Sequence, residues 1–179
     1  ALKTSSSLAS YNECYMNYNS KVLNTKFFIE NTDSATRMQV SLYRLRNSQL
    51  LTIAPTGSIS TMLGVSGGIE PIFANYYTRM TKSLHGEDKE YKVYTPIVKK
   101  YMEEHGLKDD ENLPDWFVCS HDINYKDIIN MQSVWQRHID ASISSTINVP
   151  NSFTVEEVEN LYKYAYEKGL KGVTVFRDN

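Results

Sequence analysis

SISSTINVPNSFTVEEVENLYKYAYEKGLKGVTVF, residues 142–176, reads as strand, helix and strand joined by short links. Ser142-Ile143-Ser144-Ser145-Thr146-Ile147-Asn148 is β-branched and alternating, the composition of a strand. Pro150 and Asn151 make the turn. Thr154 and Glu157 have the S/T-x-x-E spacing of a capping box, so a helix starts there. Val155, Val158, Leu161, Tyr162 and Ala165 supply its expected buried side, and Gly169 ends it. Gly172-Val173-Thr174-Val175-Phe176 is a second β-branched strand. A strand–helix–strand unit of this length requires parallel strands, so the fold class is α/β.

Working back toward the start, Asn124 caps a predicted helix that runs to about Asp140, with Ile128, Met131, Trp135 and Ile139 on one face. Lys108 to Pro114 reads as an exposed polar loop. Thr95-Pro96 opens a helix with Ile97, Tyr101 and Met102 as its apolar side, closed by Gly106. Ile72 to Met80 is predicted to be mostly extended. Gln49-Leu50-Leu51-Thr52-Ile53-Ala54, ended by Pro55, reads as a buried strand. A helix is expected over Ser34 to Arg46, capped by Asp33 or Ser34, with Ala35, Met38, Leu42 and Leu45 on one stripe. Tyr11, Tyr15, Tyr18 and Val22 fall at helical spacing and predict a helix over about 8–23, preceded by a frayed polar run at Ser5 to Ser7.

The segment that points to chemistry is Ala54-Pro55-Thr56-Gly57-Ser58-Ile59-Ser60. A strand delivers the chain to a glycine turn, and a short helix starts with its first amides unpaired. Gly64, Gly67 and Gly68 end that helix and form a loop. Free amides and the helix dipole favour an anion. Thr56, Ser58 and Ser60 add hydroxyls, and Gly57 removes the side chain that would block close approach. A diphosphate meets that description. Taken alone, the same residues also serve as ordinary caps and turns. The order is not that of a P-loop, GxxxxGK[ST], and the segment has no Lys.

Composition excludes several classes. The formal net charge is -2, from 19 Lys and Arg against 21 Asp and Glu, with no basic run, which argues against a nucleic-acid partner. No stretch approaches the roughly 18 apolar residues of a membrane span, and Ala1 to Ser10 lacks a signal-peptide apolar core. Cys14 and Cys119 form no CxxC pair, so neither a zinc site nor a disulfide framework is expected, and the setting is read as cytoplasmic. The 179 residues start with Ala rather than Met, so a fragment or a processed chain is expected.

Leu51 to Ser60, followed by Ser66-Gly67-Gly68-Ile69-Glu70-Pro71, resembles the phosphate-loop region of ribonucleotide reductase large subunits. Asn75-Tyr76-Tyr77-Thr78-Arg79 is similar too. Ser144-Ser145-Thr146-Ile147-Asn148-Val149-Pro150 resembles the family's S-x-T-[IV]-N-x-P stretch, and Gly169 to Asp178 its final strand. The resemblance runs from roughly Arg46 to the end. It implies the C-terminal portion of a ten-stranded α/β barrel made of parallel βαβ units, with residues 1–179 as a single partial domain. It implies that Pro55, Thr56, Gly57, Ser58 and Ile59, with Ser60, hold the phosphates of a ribonucleoside di- or triphosphate. It also implies deoxyribonucleotide synthesis by a radical mechanism in a homodimeric enzyme. Aerobic two-subunit members carry a Tyr-Tyr radical relay where this chain has Thr174-Val175-Phe176. Val and Phe have no phenol to oxidise, so the chain resembles the class II enzymes, which use adenosylcobalamin. No corrin contact is assigned.

The family's Asn-x-Cys-x-Glu pattern is not in this sequence; Asn12-Glu13-Cys14 has the wrong order and spacing. No residue here is therefore expected to be catalytic. Cys119 reads as an ordinary half-buried residue, Glu70 as a loop anchor, and Arg79 as its structural ion-pair partner. His85, His105, His121 and His138 share no metal-ligand spacing and read as surface or capping residues. Trp116 and Trp135 are expected in the core. The rival reading is a split or degenerate reductase module that binds a nucleotide phosphate or a partner subunit without chemistry of its own.

Overall fold

The structure, a computed structural model, describes residues 1–81, 89–110 and 112–178. The expected βαβ unit is present. Strand β3 (Thr146–Val149) pairs in parallel with β4 (Thr174–Arg177), in register Thr146 to Thr174 and Val149 to Arg177. Helix α7 (Val155–Glu167) joins them. Its capping box is complete: Glu157 N donates to Thr154 Oγ1 at 3.2 Å, and Thr154 N donates to Glu157 Oε2 at 2.7 Å. Those bonds hold the Glu157 carboxyl below its ordinary range. Gly169 at φ +77° lets the chain turn back to β4.

The core of this unit is Ile147, Val149, Leu161 and Ala165 with Ile128 and Ile129 of helix α6 (Tyr125–Gln136). Asn124 caps α6, its side chain accepting from Lys126 N at 2.9 Å. The buried faces differ from the apolar stripes of the sequence. On α7, Val155 and Tyr162 are exposed, because only Leu161 and Ala165 meet the sheet squarely. On α6, Met131 and Trp135 are exposed while Gln132, Ser133 and Gln136 are buried. The reason is hydrogen bonding. Gln132 Nε2 donates to Gly172 O at 2.8 Å, Ser133 Oγ to Lys168 O at 2.9 Å, and Gln136 Nε2 to both Ile139 O and Ala141 O at 2.9 Å. These groups satisfy backbone carbonyls where the chain enters and leaves the strands, and that turns the apolar stripe outward. The helix ends at Gln136, short of Asp140, and Ile139 is buried in the turn that follows.

The first part of the chain forms a second cluster around Phe28, Val40 and Leu45. Helix α1 is Leu2–Tyr11, not 8–23; Tyr15 and Tyr18 lie in irregular chain, edge to face at 5.5 Å, before a 3-10 helix at Ser20–Asn24 and helix α2 (Lys26–Asn31). Ser5 and Ser6 are buried rather than frayed. Ser6 Oγ donates to Gln39 O and Ser5 Oγ to Asn47 Oδ1, so small residues let α1 approach helix α3 (Ser34–Tyr43) closely. Asp33 is the cap of α3: bonds from Thr36 hold its carboxyl at about 2. The buried side of α3 is Thr36 and Val40, not Ala35, Met38 and Leu42, because α1 covers only that side. Leu45 is buried as expected, beyond a helix that stops at Tyr43.

Between the two clusters lie helix α4 (Gly57–Leu63), an antiparallel hairpin of β1 (Tyr76–Thr81) and β2 (Lys89–Tyr94), and helix α5 (Pro96–His105). The extended stretch expected over 72–80 is β1 in its second half; β2 had no counterpart in the sequence reading. Lys92 of β2 reaches Asp110 at 2.6 Å, which ties down the loop expected to be freely exposed at 108–114. Helix α5 buries Val98 and Met102; Ile97 is exposed. Trp116 is 64% exposed, stacked on Phe117 at the surface rather than in the core. The class is α/β, as expected. The described residues form two two-stranded sheets and no closed barrel. Among the described residues no helix is long and apolar enough to cross a membrane.

Leu161→Ala should lower the unfolding free energy by about 2–5 kcal/mol in urea denaturation, whereas Tyr162→Ala, one residue away but exposed, should change it by about 0.5 kcal/mol or less.

Candidate functional site

The site starts from an edge strand held by a carboxylate. Asp140 Oδ2 accepts from Leu50 N at 2.7 Å and Asp140 Oδ1 from Leu51 N at 2.6 Å. Ala141 N then donates to Leu51 O at 3.0 Å, Thr52 Oγ1 to Ser142 O at 3.0 Å, and Ser144 N to Ile53 O at 3.0 Å. Residues 50–53 thus run parallel beside 141–144, with a single bridge at Ile53 and Ile143. This segment was expected to be a buried strand. It pairs on one side only; Leu51 and Thr52 are exposed and Ile53 is half-buried. Three parallel stretches, residues 52–55, 142–145 and 172–174, line an open cleft of about 520 Å³.

At the end of this edge the chain turns into α4. Thr56 has φ +51°, the left-handed region that a β-branched residue rarely occupies. Its Oγ1 accepts from Gly68 N at 3.1 Å. Ser60 N closes the first helical turn onto Thr56 O at 2.8 Å. Among the described residues the amides of Gly57, Ser58 and Ile59 have no hydrogen-bond acceptor, and all three residues are exposed. A Cβ on Gly57 would meet nothing within 4 Å, so open space lies over the turn. Pro55 is exposed, with its carbonyl 2.7 Å from where a Cβ on Gly67 would stand. Ser58 presents its side chain outward. Ser60 is buried, and its hydroxyl donates to Gly57 O at 2.9 Å, so that donor is already engaged. The structure therefore brings Thr56, Gly57, Ser58 and Ile59 together at one open surface and turns Ser60 inward.

Two contributors were not read from the sequence as parts of this site. Asp140 ended a predicted helix, and nothing local marks it as the anchor of a segment 90 residues earlier. Glu70 was read as a loop anchor, and its Oε1 accepts from Thr146 N at the start of β3. The ion pair expected between Glu70 and Arg79 is not formed; Arg79 is exposed on β1. The remaining titratable groups do other work. Burial and the neighbouring Asp122 push the Cys119 thiol up, away from a nucleophilic thiolate. His105 stacks on Tyr101 and bonds its carbonyl at the end of α5, His138 meets Asn31 Oδ1 at 2.7 Å, and His121 lies 3.7 Å from Asp178. His85 lies outside the described residues. Among the described residues no three His, Cys, Asp or Glu side chains could hold a metal ion.

A family model described as ribonucleotide reductase, barrel domain, matches residues 1–176. Over 151 residues the chain is 34% identical to a vitamin B12-dependent ribonucleoside-diphosphate reductase of Thermoplasma acidophilum, covering 75% of this chain and 19% of that protein. A protein of the same name from Mycobacterium tuberculosis is 31% identical over 147 residues, covering 74% of this chain and 21% of its own length. The chain thus spans about a fifth of the length of the curated relatives it matches. The class Id ribonucleotide reductase alpha subunit of Actinobacillus ureae has the same fold, with a TM-score of 0.61 at 22% identity over 99% of this chain and 34% of that one.

Asp140→Asn replaces one acceptor oxygen by an NH2 that faces an amide donor. The expected outcome is faster amide hydrogen exchange at Leu50 and Leu51, by about tenfold or more, with the exchange of Leu161 unchanged; equal protection in both proteins would show that the carboxylate does not hold this edge.

Proposed function

The chain belongs to the ribonucleotide reductase barrel-domain family, and from that premise we propose that it is the C-terminal barrel segment of a ribonucleoside di- or triphosphate reductase and supplies the loop that holds the substrate's phosphates. The observation that carries this reading is the trio of unpaired amides at Gly57, Ser58 and Ile59, presented at an open glycine turn. Phosphate oxygens are the acceptors such amides lack. The Ser58 and Thr56 hydroxyls are next to them; Pro55 shapes the entry, and Ser60 stiffens the turn from beneath.

The loop does no chemistry. Its part is positional: binding energy gained at the unreactive phosphates fixes the ribose against reactive groups supplied by the rest of the catalytic subunit. On this reading the segment alone does not reduce a nucleotide, and its partners are the remainder of that subunit and a second copy in a cytoplasmic homodimer.

The radical source we propose is adenosylcobalamin. Several relatives, among them those of Thermoplasma acidophilum and Mycobacterium tuberculosis, carry vitamin B12-dependent in their names. The strand that would carry a tyrosine pair in a two-subunit enzyme has Thr174, Val175 and Phe176 here, with Val175 packed against the core of the βαβ unit and Phe176 half-exposed. Neither side chain can lose and regain a phenolic proton. The cofactor, when bound, supplies the radical. No described residue is assigned to the corrin, so no step is derived through it.

Gly57→Val tests the phosphate loop in the complete reductase. A Cβ at this position meets nothing within 4 Å and Gly57 is not at positive φ, so the fold should tolerate the substitution, while the side chain occupies the space in which a phosphate would lie. The substrate KM should rise by about 10- to 100-fold, the loss of one or two charge-assisted hydrogen bonds. An unchanged KM would sink the assignment.

A further inference from the structure

We propose that Glu70 is a positioning residue of the phosphate loop: its carboxylate takes the place of the next strand residue beside β3 and so braces Thr56 in the left-handed conformation that aims the free amides. The inference rests on the phosphate-loop reading above.

The geometry is that of an interrupted ladder. Ser144 and Thr146, two residues apart on one strand, present their amides to the same edge. Ile53 O accepts the first at 3.0 Å. The second has no strand carbonyl to meet, because the chain has left the edge at Ala54 and Pro55 to make the turn. Glu70 Oε1 accepts it instead. A carboxylate from 17 residues beyond Ile53 thus continues the ladder past the point where the strand peels away.

The same residue fixes a tight turn under the phosphate loop. Glu70 N donates to Gly67 O at 3.0 Å. Within that turn Gly68, at φ +54°, donates its amide to Thr56 Oγ1 at 3.1 Å. Gly67 lies so close that a Cβ would stand 2.7 Å from Pro55 O and 3.3 Å from Ser60 Oγ. Threonine at φ +51° is strained and persists only where its surroundings hold it. The turn from Gly67 to Glu70 is what touches it, and Glu70 ties that turn to β3. Removing the carboxylate frees the turn, and Thr56 relaxes toward ordinary backbone angles. The amides of Gly57 to Ile59 then no longer converge.

The experiment uses the complete reductase with its nucleotide substrate, and compares Glu70→Ala, Glu70→Gln and Glu70→Asp with Gly57→Val. Glu70→Ala should raise KM by about tenfold while kcat stays within about threefold. Glu70→Gln keeps an Oε1 that accepts from Thr146 N and should restore KM to within about threefold of the parent. Glu70→Asp, one methylene shorter, should raise KM by less than the alanine variant, and it reports even if the alanine variant does not accumulate. In a Thr56→Gly background, where glycine takes a positive φ unaided, Glu70→Ala should cost about threefold or less. The proposal is overturned if Gly57→Val raises KM and Glu70→Ala does not. It is also overturned if alanine and glutamine variants lose kcat equally with KM unmoved, the pattern of a merely structural carboxylate. If Gly57→Val leaves KM unmoved, the phosphate-loop reading fails first, and the brace with it.

Discussion

The carboxylate of Asp140, holding the amides of Leu50 and Leu51 together, is the contact on which the arrangement of this chain depends. Hydrogen bonds to a charged acceptor contribute about 1.5–3 kcal/mol each where they are not fully solvated. The segment they anchor has little else. It pairs on one edge, leaves Leu51 and Thr52 exposed, and makes a single bridge at Ile53. A strand held so lightly would slip or detach without a fixed starting point. The carboxylate sets its register against residues 141–144, and that register decides where Pro55 and Thr56 leave the edge. Lys171 Nζ in turn donates to Asp140 O, so the same residue also ties the approach to β4.

A second constraint runs through α6. Gln132 and Gln136 are buried, Gln132 fully, yet they are polar. Each uses its NH2 on carbonyls of the segments around β3 and β4: Gly172 for one, Ile139 and Ala141 for the other. Those carbonyls lie where strands begin, beyond the reach of ladder partners, and would otherwise be buried and unpaired at a cost of about 1–3 kcal/mol each. The helix is therefore oriented by where acceptors need donors, not by where its apolar residues fall. Ala141 is the shared point: Gln136 takes its carbonyl, while its amide goes to Leu51. The helix, the central strand and the edge that leads to the glycine turn at Thr56 and Gly57 are coupled through one peptide unit on each side.

The sequence was most readable where a structure is set by neighbours a few residues apart. Thr154 with Glu157, Asn124 before α6, Pro96 at the head of α5 and Gly169 after α7 each act within one turn, and each stands where local rules put it. The glycine turn into α4 is equally local. Helix faces were not readable in the same way. Met38, Leu42, Met131 and Trp135 all have helical apolar spacing, yet they are exposed, because a face is buried only if another element covers it. Amphipathic spacing says that a helix exists and not which neighbour it has. Strand β2 alternates only over Glu90 to Val93, too short a run to mark it, and it is held by pairing with β1. The contacts that orient the candidate site are longer-range still: Asp140 with Leu50 and Glu70 with Thr146 join residues 90 and 76 apart.

Family membership and geometry bear on different links of the argument. The match across residues 1–176 assigns the chain to the ribonucleotide reductase barrel-domain family, but it does not say how a phosphate would be held. The proposed function places that task on the loop itself. It has no lysine or arginine among residues 54–60, so an anion there must be held by fixed dipoles. A cation on a flexible side chain attracts phosphate from many directions. Backbone amides rising from a braced turn attract it from one. Under the proposed function the reaction takes place at the sugar, several bonds from the phosphates, so direction matters more than attraction, because an error of about 1 Å at the anchor carries through to the reacting atoms. This is a reason for a chain to keep a threonine in a left-handed conformation at this position. Under the proposed function, the strain at Thr56 is the cost of presenting the amides of Gly57, Ser58 and Ile59 to a phosphate, offset by the contacts from Gly68 to Thr56 and from Glu70 to β3.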